Sequence, residues 1–315
     1  MTRIVTVTLS PALDITTGVA RLYPDAKLRC DRPVYAPGGG GINVARAIHR
    51  LGGDALALFA AGGATGQHLR ELLDTEGLPN QALSIAAWTR ECINLTEQAG
   101  GQQYRLIMPG APLSLSEQTQ LLAALKALPS PEYLVISGSL PEGLAADFVP
   151  RLLEVARQHG ARCILDSAAP VLRQALDIGG VFLIKPNIDE LCALVGVPAL
   201  DADQLASVAR ELIESAGCAA VLVSLGPQGA LLVTAELTER IPAPRVCKRS
   251  TVGAGDSMVA AVTLKLAAGA SWGEAARYGV AAGSAAIMTE GSELCRRADT
   301  EQLFADLQAA ALAAP

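Results

Sequence analysis

The sequence predicts an α/β fold with a mostly parallel sheet covered by helices on both faces, and three observations predict it. Apolar runs of strand length alternate with segments of helical period along most of the chain. Those strand runs are near-continuously apolar, as strands buried on both faces are. Glycine-rich or polar turns follow many of the strands, so right-handed crossovers would gather the turns with Asp14, Gly39, Gly63, Ser139, Asp166, Asn187 and Gly226 on one rim.

Arg3 to Leu9 reads as the first strand, and Ser10-Pro11-Ala12-Leu13-Asp14 as the turn ending it. Asp14 is either a carboxylate for substrate hydroxyls or the acceptor of an Asx turn. Residues 15–36 lack a helical period and suggest short exposed strands with a basic spot at Lys27 and Arg29. Gly38 to Gly41 then runs into a small-residue helix, Ile42 to Leu51, where a ligand could approach the backbone closely. The pattern matches neither GxxxxGK[ST] nor GxGxxG.

A strand at 54–60 and a helix at 67–76 follow. Residues 84–95 and 102–107 read as a hairpin inserted between βα units, carrying Trp88, Arg90, Asn94 and Arg105. With residues 15–36 it would form a small sheet outside the main one, usable as a lid and an interface. Arg90 and Arg105 either meet a substrate phosphate or face solvent. Alternation resumes with a helix at 117–127, a strand at 133–136 before Ser137-Gly138-Ser139, a helix at 145–158 and a strand ending at Asp166. Beyond it lie a strand at 181–184 before Lys185-Pro186-Asn187, helices at 189–195 and 200–215, a strand at 219–224 and the turn Leu225 to Gly229. Three helices close the chain, 258–268, 272–288 and 300–312.

The stretch Arg249 to Ser257 is the most informative. Two glycines and one acid precede an apolar helix, so Gly253, Ala254 and Gly255 would offer free N–H groups to an anion and hold Asp256 beside it. The alternative is an acid that only complements the helix dipole.

Composition narrows the class. A chain of 315 residues, half of them hydrophobic, can bury one large core, and a net charge of −6 from 25 basic and 31 acidic residues leaves no footprint for nucleic acid. Absence of a leader or a membrane-spanning run leads us to expect a cytoplasmic protein that engages no membrane. Seven scattered cysteines without a CxxC pair predict free thiols, and three scattered histidines argue against zinc or a histidine triad.

The ordered set of Thr8 to Asp14, Pro37 to Ala47, Met108-Pro109-Gly110, Val135 to Pro141, Lys185-Pro186-Asn187 with Glu190-Leu191, Val223 to Ala230 and Ser250 to Ser257 resembles the ribokinase-like carbohydrate kinases over essentially the whole chain. The resemblance implies a single ribokinase-like three-layer α/β domain over residues 1–315, with lid segments at about 15–36 and 84–107 forming a small β-sheet. It implies ATP-dependent phosphorylation of fructose 6-phosphate at its 1-hydroxyl. Tagatose-6-phosphate kinase, 1-phosphofructokinase and a non-catalytic sugar-phosphate sensor are the alternatives.

By the same resemblance, Asp256 is the base and Gly253, Ala254 and Gly255 form the anion hole. Asp14, Gly39, Asn43 and Ser139 would hold the sugar, and Arg90 and Arg105 its phosphate. Lys27 would reach that site from a partner's lid in a homodimer. Lys185, Asn187, Ser224, Gly226, Gly229, Lys248 and Ser284 would face the nucleotide. Glu190 and Asp166 would serve magnesium, and Ser250, Val252, Ala286, Thr289 and Gly291 would surround an activating potassium ion. The acidic loop Thr289 to Glu293 is unexpected near such a site.

Overall fold

The computed structural model describes residues 3–313. Its main sheet has nine strands: β1 (Ile4–Thr8), β4 (Ala55–Ala61), β5 (Asn80–Ser84), β8 (Tyr133–Ser137), β9 (Arg162–Asp166), β10 (Val181–Ile184), β11 (Ala220–Ser224), β12 (Ala230–Thr234) and β13 (Thr238–Ile241). The order is β13-β12-β11-β10-β9-β8-β1-β4-β5, parallel except for β12 and β13, which fold back as an antiparallel edge. The second sheet has order β3-β2-β6-β7, from β2 (Ala12–Val19), β3 (Val34–Gly38), β6 (Arg90–Glu97) and β7 (Gln102–Ile107).

Side chains alternate between the two faces of the main sheet and build two cores. Ile4, Ala57, Phe59, Tyr133 and Val135 pack toward α1 (Gly40–Arg50), α2 (Gly63–Thr75), α8 (Ala254–Ala267), α9 (Trp272–Ile287) and α10 (Arg297–Ala313). Val5, Val7, Leu58, Leu134 and Ile136 pack toward α3 (Leu115–Lys126), α4 (Phe148–Gln158), α5 (Ala169–Ile178), α6 (Ile188–Val195) and α7 (Ala202–Ala216). The result is the three-layer architecture that buries a parallel sheet on both sides.

Sequence order runs from β1 to β4 and β5 on one side, and from β8 through β13 on the other. Strand direction of growth therefore reverses beside β1, the place where open α/β sheets form a crevice at their carboxyl ends. At this point the glycines after β3 meet the loop after β8. A Cβ on Gly40 would lie 2.5 Å from the Gly138 nitrogen, so no larger residue lets α1 come this close.

Two local expectations need correction, and one strand was not foreseen. Asp14 does not sit in a turn after β1: the chain breaks at Ser10-Pro11, and Asp14 lies inside β2, paired with Ala36 and Cys92. Residue 84 does not begin the hairpin either. Asn80–Ser84 forms β5 and pairs in parallel with β4, and the hairpin strand starts only at Arg90. The strand β13 is short and carries Thr, Glu and Arg among its four residues, so it had no apolar signal to announce it.

Candidate active site

Between the two sheets lies a cavity of about 220 Å³. That is small beside the roughly 300–1,000 Å³ pockets that take drug-sized ligands. Its floor is Asn43 and Asp256, one wall is Asp14 with Gly39 and Gly40, and the other wall includes Arg90, Arg105 and Ser139.

Only α1 and α8 among the helices border this cavity. Both begin at a glycine without a side-chain cap, Gly39 and Gly253. In contrast, α6 and α7 are closed by Asn187 and Asp201 in reciprocal capping boxes. The first-turn N–H groups of α8 thus stay available to an anion. Gly253 has φ 74°, a left-handed conformation that side chains rarely adopt, and a Cβ there would also strike Leu294.

Asp256, in the first turn of α8, is half-buried and accepts a 2.9 Å hydrogen bond from Asn43 Nδ2. Burial, with the charges of Asp166 and Asp14 behind it, pushes its carboxyl up to about 7, against the opposing pull of Asn43 and Lys185. A carboxylate poised near neutrality suits proton abstraction. Burial also raises Asp14 to about 6, opposed by the positive charges of Arg105, Arg46 and Arg90.

Arg90 spans the cavity wall. Its Nη1 donates to Met108 O at 2.9 Å, and its Nη2 donates to Ser10 O at 2.9 Å and to Ser139 Oγ at 3.2 Å. Its buried Nε has no partner. A guanidinium held by two backbone carbonyls and a serine hydroxyl is fixed in place, and its charge on the cavity wall suits an anion. Ser139 and Arg105 are exposed, and Lys27 is exposed on the loop between β2 and β3 and is not among the residues lining its own chain's cavity.

Toward the carboxyl ends of β9 to β11, Lys185 is 5% exposed and pairs with Asp166 at 3.0 Å. Burial opposes its charge, yet Asp166, with Glu190 and Asp256, outweighs that and holds Lys185 above the ordinary lysine range. Gly255 is close by: a Cβ there would lie 3.6 Å from Lys185 Nζ. Lys185 therefore stands next to the α8 N-terminus as a buried cation. Asp166 also accepts from Ser137 Oγ, so both its oxygens already have protein partners.

Asn187 and Glu190 cap α6 reciprocally, which gives both a structural reason to be there. Ser224 bridges to Asn187, and Gly226 and Gly229 frame the 3₁₀ turn that follows β11. Lys248 is exposed, and Ser284 is buried in α9 next to Gly283, which lies against Ala254 O. No group of three or more His, Cys, Asp or Glu able to hold a metal exists among the described residues. Magnesium would thus be held mainly by phosphate oxygens and water.

The loops expected around potassium do converge. Ser250 Oγ donates to Gly291 O, Thr289 Oγ1 donates to Ala286 O and Glu293 O, and both Arg249 N and Ser250 N donate to Ile287 O. These hydrogen bonds tie the two loops together, and Glu290 is turned to Arg249 in an ion pair.

A family model described as "pfkB family carbohydrate kinase" matches residues 1–299. The chain belongs to the pfkB family of carbohydrate kinases. It is 48% identical over 307 residues to ATP-dependent 6-phosphofructokinase isozyme 2 of Escherichia coli strain K12, covering 98% of this chain and 99% of the relative. The crystal structure of Escherichia coli phosphofructokinase-2 in complex with potassium superposes with a TM-score of 0.94 at 48% identity, covering 98% of this chain and 100% of that one. The tetrameric inhibited form of the same enzyme gives 0.93 at 48% identity and the same coverage.

Within this pfkB chain the structure brings Asp14, Gly39, Asn43, Arg90, Arg105, Ser139, Gly253 and Asp256 to one cavity. Sequence reasoning missed Arg46, whose side chain is 3% exposed, and Glu76, its partner. The available signal was an arginine one turn after Asn43, within the small-residue run Ile42 to Ile48 of α1.

Proposed function

We propose that this chain transfers the γ-phosphoryl group of ATP to the 1-hydroxyl of D-fructose 6-phosphate, giving fructose 1,6-bisphosphate and ADP. One observation carries the reading: a single small cavity holds an arginine fork on its wall and a carboxylate with a raised pKa at a glycine-capped helix terminus on its floor. An anionic substrate is gripped at one end and loses a proton at the other.

In this reading Arg90 and Arg105 hold the 6-phosphate, and Asp14, Gly39, Asn43 and Ser139 fix the sugar. The ionised Asp256 takes the 1-hydroxyl proton as that oxygen attacks the γ-phosphorus. The bond from the γ-phosphorus to the bridging oxygen breaks, and ADP leaves with the electron pair. Gly253, Ala254 and Gly255 donate N–H groups to the transferring phosphoryl oxygens, and Lys185 adds positive charge beside them. Losing one such donor typically costs about 3 kcal/mol in the transition state. Lys185, Asn187, Ser224, Gly226, Gly229, Lys248 and Ser284 mark the nucleotide side.

Magnesium, when bound, neutralises charge shared between neighbouring phosphoryl groups, and Glu190 would orient its water. Asp166, which pairs with Lys185 and accepts from Ser137, keeps acceptor capacity on both oxygens and would serve the same magnesium-bound water. Ser250, Val252, Ala286, Thr289 and Gly291 supply the potassium environment, for which the convergent loops are the support.

The active unit in this reading is a homodimer formed through the lid of residues 15–36 and 84–107, appended to the one domain. Its support is the apolar exposure of Val34, Trp88, Leu106 and Ile107, together with Lys27 not lining its own chain's cavity. No helix among the described residues is long and apolar enough to cross a membrane, and a cytoplasmic location agrees with the seven free thiols. Initial rates with fructose 6-phosphate, fructose 1-phosphate, tagatose 6-phosphate, fructose and ribose test the assignment. A kcat/KM for another sugar clearly above that for fructose 6-phosphate would overturn it.

A further inference from the structure

We infer that Arg46 and Glu76 are positioning residues that fix the amide of Asn43 and, through it, the carboxylate of Asp256. The inference rests on the role proposed above for Asp256, and three observations support it.

First, Arg46 is a buried cation within an apolar helix, and its whole fork is engaged. Nε and Nη2 donate to the two Glu76 oxygens at 2.7 and 2.5 Å, and Nη1 donates to Pro37 O at 2.9 Å. Glu76 is the C-cap of α2, so it is set by a separate element. Burial works against its charge, but the hydrogen bond and charge of Arg46 hold its carboxyl below the ordinary range.

Second, Nη1 of the same guanidinium lies 3.5 Å from Asn43 Oδ1. That is the long end of a hydrogen bond, and its weight lies in what it excludes. A guanidinium only donates, so the amide oxygen must face Arg46 and the NH₂ must face Asp256. A flipped Asn43 would set donor against donor on one side and oxygen against carboxylate on the other. Arg46 therefore selects the one amide orientation that gives Asp256 a hydrogen-bond donor.

Third, the bond to Pro37 O ties Arg46 to the sugar side. Gly38 follows directly, and a Cβ there would come 2.5 Å from the Asp14 carboxylate. One side chain thus fixes the backbone under Asp14 and the amide beside Asp256.

A merely structural role, tying α1 to α2, would touch stability alone. The test therefore reads the pH profile of kcat in Arg46→Lys, Glu76→Gln and the apolar pair Arg46→Met with Glu76→Leu, with Asp256→Asn measured in parallel. The groups facing Asp256 are Asn43 from α1, Asp166 from β9, Lys185 after β10 and Asp14 from β2, and all remain in these variants. Losing the Asn43 donor disfavours the carboxylate, so the acid limb should move to higher pH by roughly half a unit to one unit. Arg46→Lys and the apolar pair should lose about 10- to 100-fold in kcat, as small misplacements of reacting groups do, with KM for ATP little changed. Glu76→Gln keeps hydrogen-bonding capacity and should fall between these and the parent. The apolar pair avoids an unpaired buried charge and keeps the test open if a single variant fails to fold. Unchanged kcat and acid limb in folded variants would falsify the positioning role. Should Asp256→Asn itself retain turnover, the role of Asp256 falls first; an inactive Asp256→Asn beside normal Arg46 variants sinks only the inference.

Discussion

Asn43 and Asp256 stand 213 positions apart in sequence, yet Asn43 Nδ2 donates to Asp256 Oδ2 at 2.9 Å, which joins the first turns of two glycine-started helices across the floor of one cavity. The acid is held by one donor and surrounded by two other carboxylates, and this balance keeps it near 7. The catalysed rate should therefore fall on the acid side of about pH 7 as Asp256 protonates. In Asp256→Asn, kcat should drop at least 10²- to 10⁴-fold, the range of a lost general base. A coupled ADP assay measures both.

The same shift has a stability consequence of opposite sign. The folded Asp256 titrates near 7 and its ordinary value is 3.8, so the unfolded chain ionises first as pH rises. Between about pH 4 and 7 the native state loses stability relative to the unfolded one, and below both values the difference vanishes. Asp256→Asn should accordingly raise the unfolding free energy at pH 8 by about 1–3 kcal/mol after allowing for solvent at the cavity mouth, and leave it unchanged near pH 3.5. Calorimetry at the two pH values checks this. A stabilised but inactive variant would show that the carboxylate is strained into place for chemistry.

Gly253 and Gly255 separate backbone demand from ligand demand. Gly253→Ala places a side chain at φ 74° and against Leu294, so it should lose both stability and activity. Gly255 has no such strain: its Cβ would meet only Lys185, at ordinary contact distance. Gly255→Ala should gain up to about 1 kcal/mol from helix propensity and still lose kcat, because the methyl projects beside the N–H groups proposed for the phosphoryl oxygens. Thermal melts with single-turnover rates distinguish the two.

Much of this site was legible in the chain because its parts obey local rules. Glycines before a helix, and an acid in a first turn, announce themselves over four residues, as Gly253 to Asp256 does. What escaped depends on pairings between distant segments. The segment around Ser84 reads as strand whether it joins β4 or the hairpin, and only its parallel pairing with β4 decides. Asp14 looked like a turn residue because Pro11 breaks the strand, although the chain resumes at once in the other sheet. Arg46 and Glu76 are 30 residues apart on different helices, and each alone looks like surface charge.

Arg90 and Arg105 should also part company. Both line the cavity, but Arg90 is fastened to Met108 O, Ser10 O and Ser139 Oγ, while Arg105 is exposed on β7. Replacing either by alanine should raise KM for the phosphosugar by about 10- to 100-fold, the loss of a charge-assisted contact of roughly 1.5–3 kcal/mol. Only Arg90→Ala should also lower the melting temperature, since it strands two backbone carbonyls. Arg90→Lys keeps the charge without the fork and should recover little affinity.

The lid makes the last prediction. On β7 every residue is exposed, and Leu106 and Ile107 at its end run into Met108 just beyond it as exposed apolar side chains, with Trp88 65% exposed shortly before β6. Such a run on a sheet edge invites pairing with another copy. If two lids pack together, light scattering should give a mass near twice the 32.5 kDa chain at assay concentration. Ile107→Asp would place an unpaired charge in that contact and should drive the protein to monomers. Loss of activity with dissociation, recovered in part at high protein concentration, would place part of the sugar-phosphate site on the partner. Lys27→Ala should then raise KM for the phosphosugar without changing the mass. A fully active monomer would instead show that each chain carries its whole site.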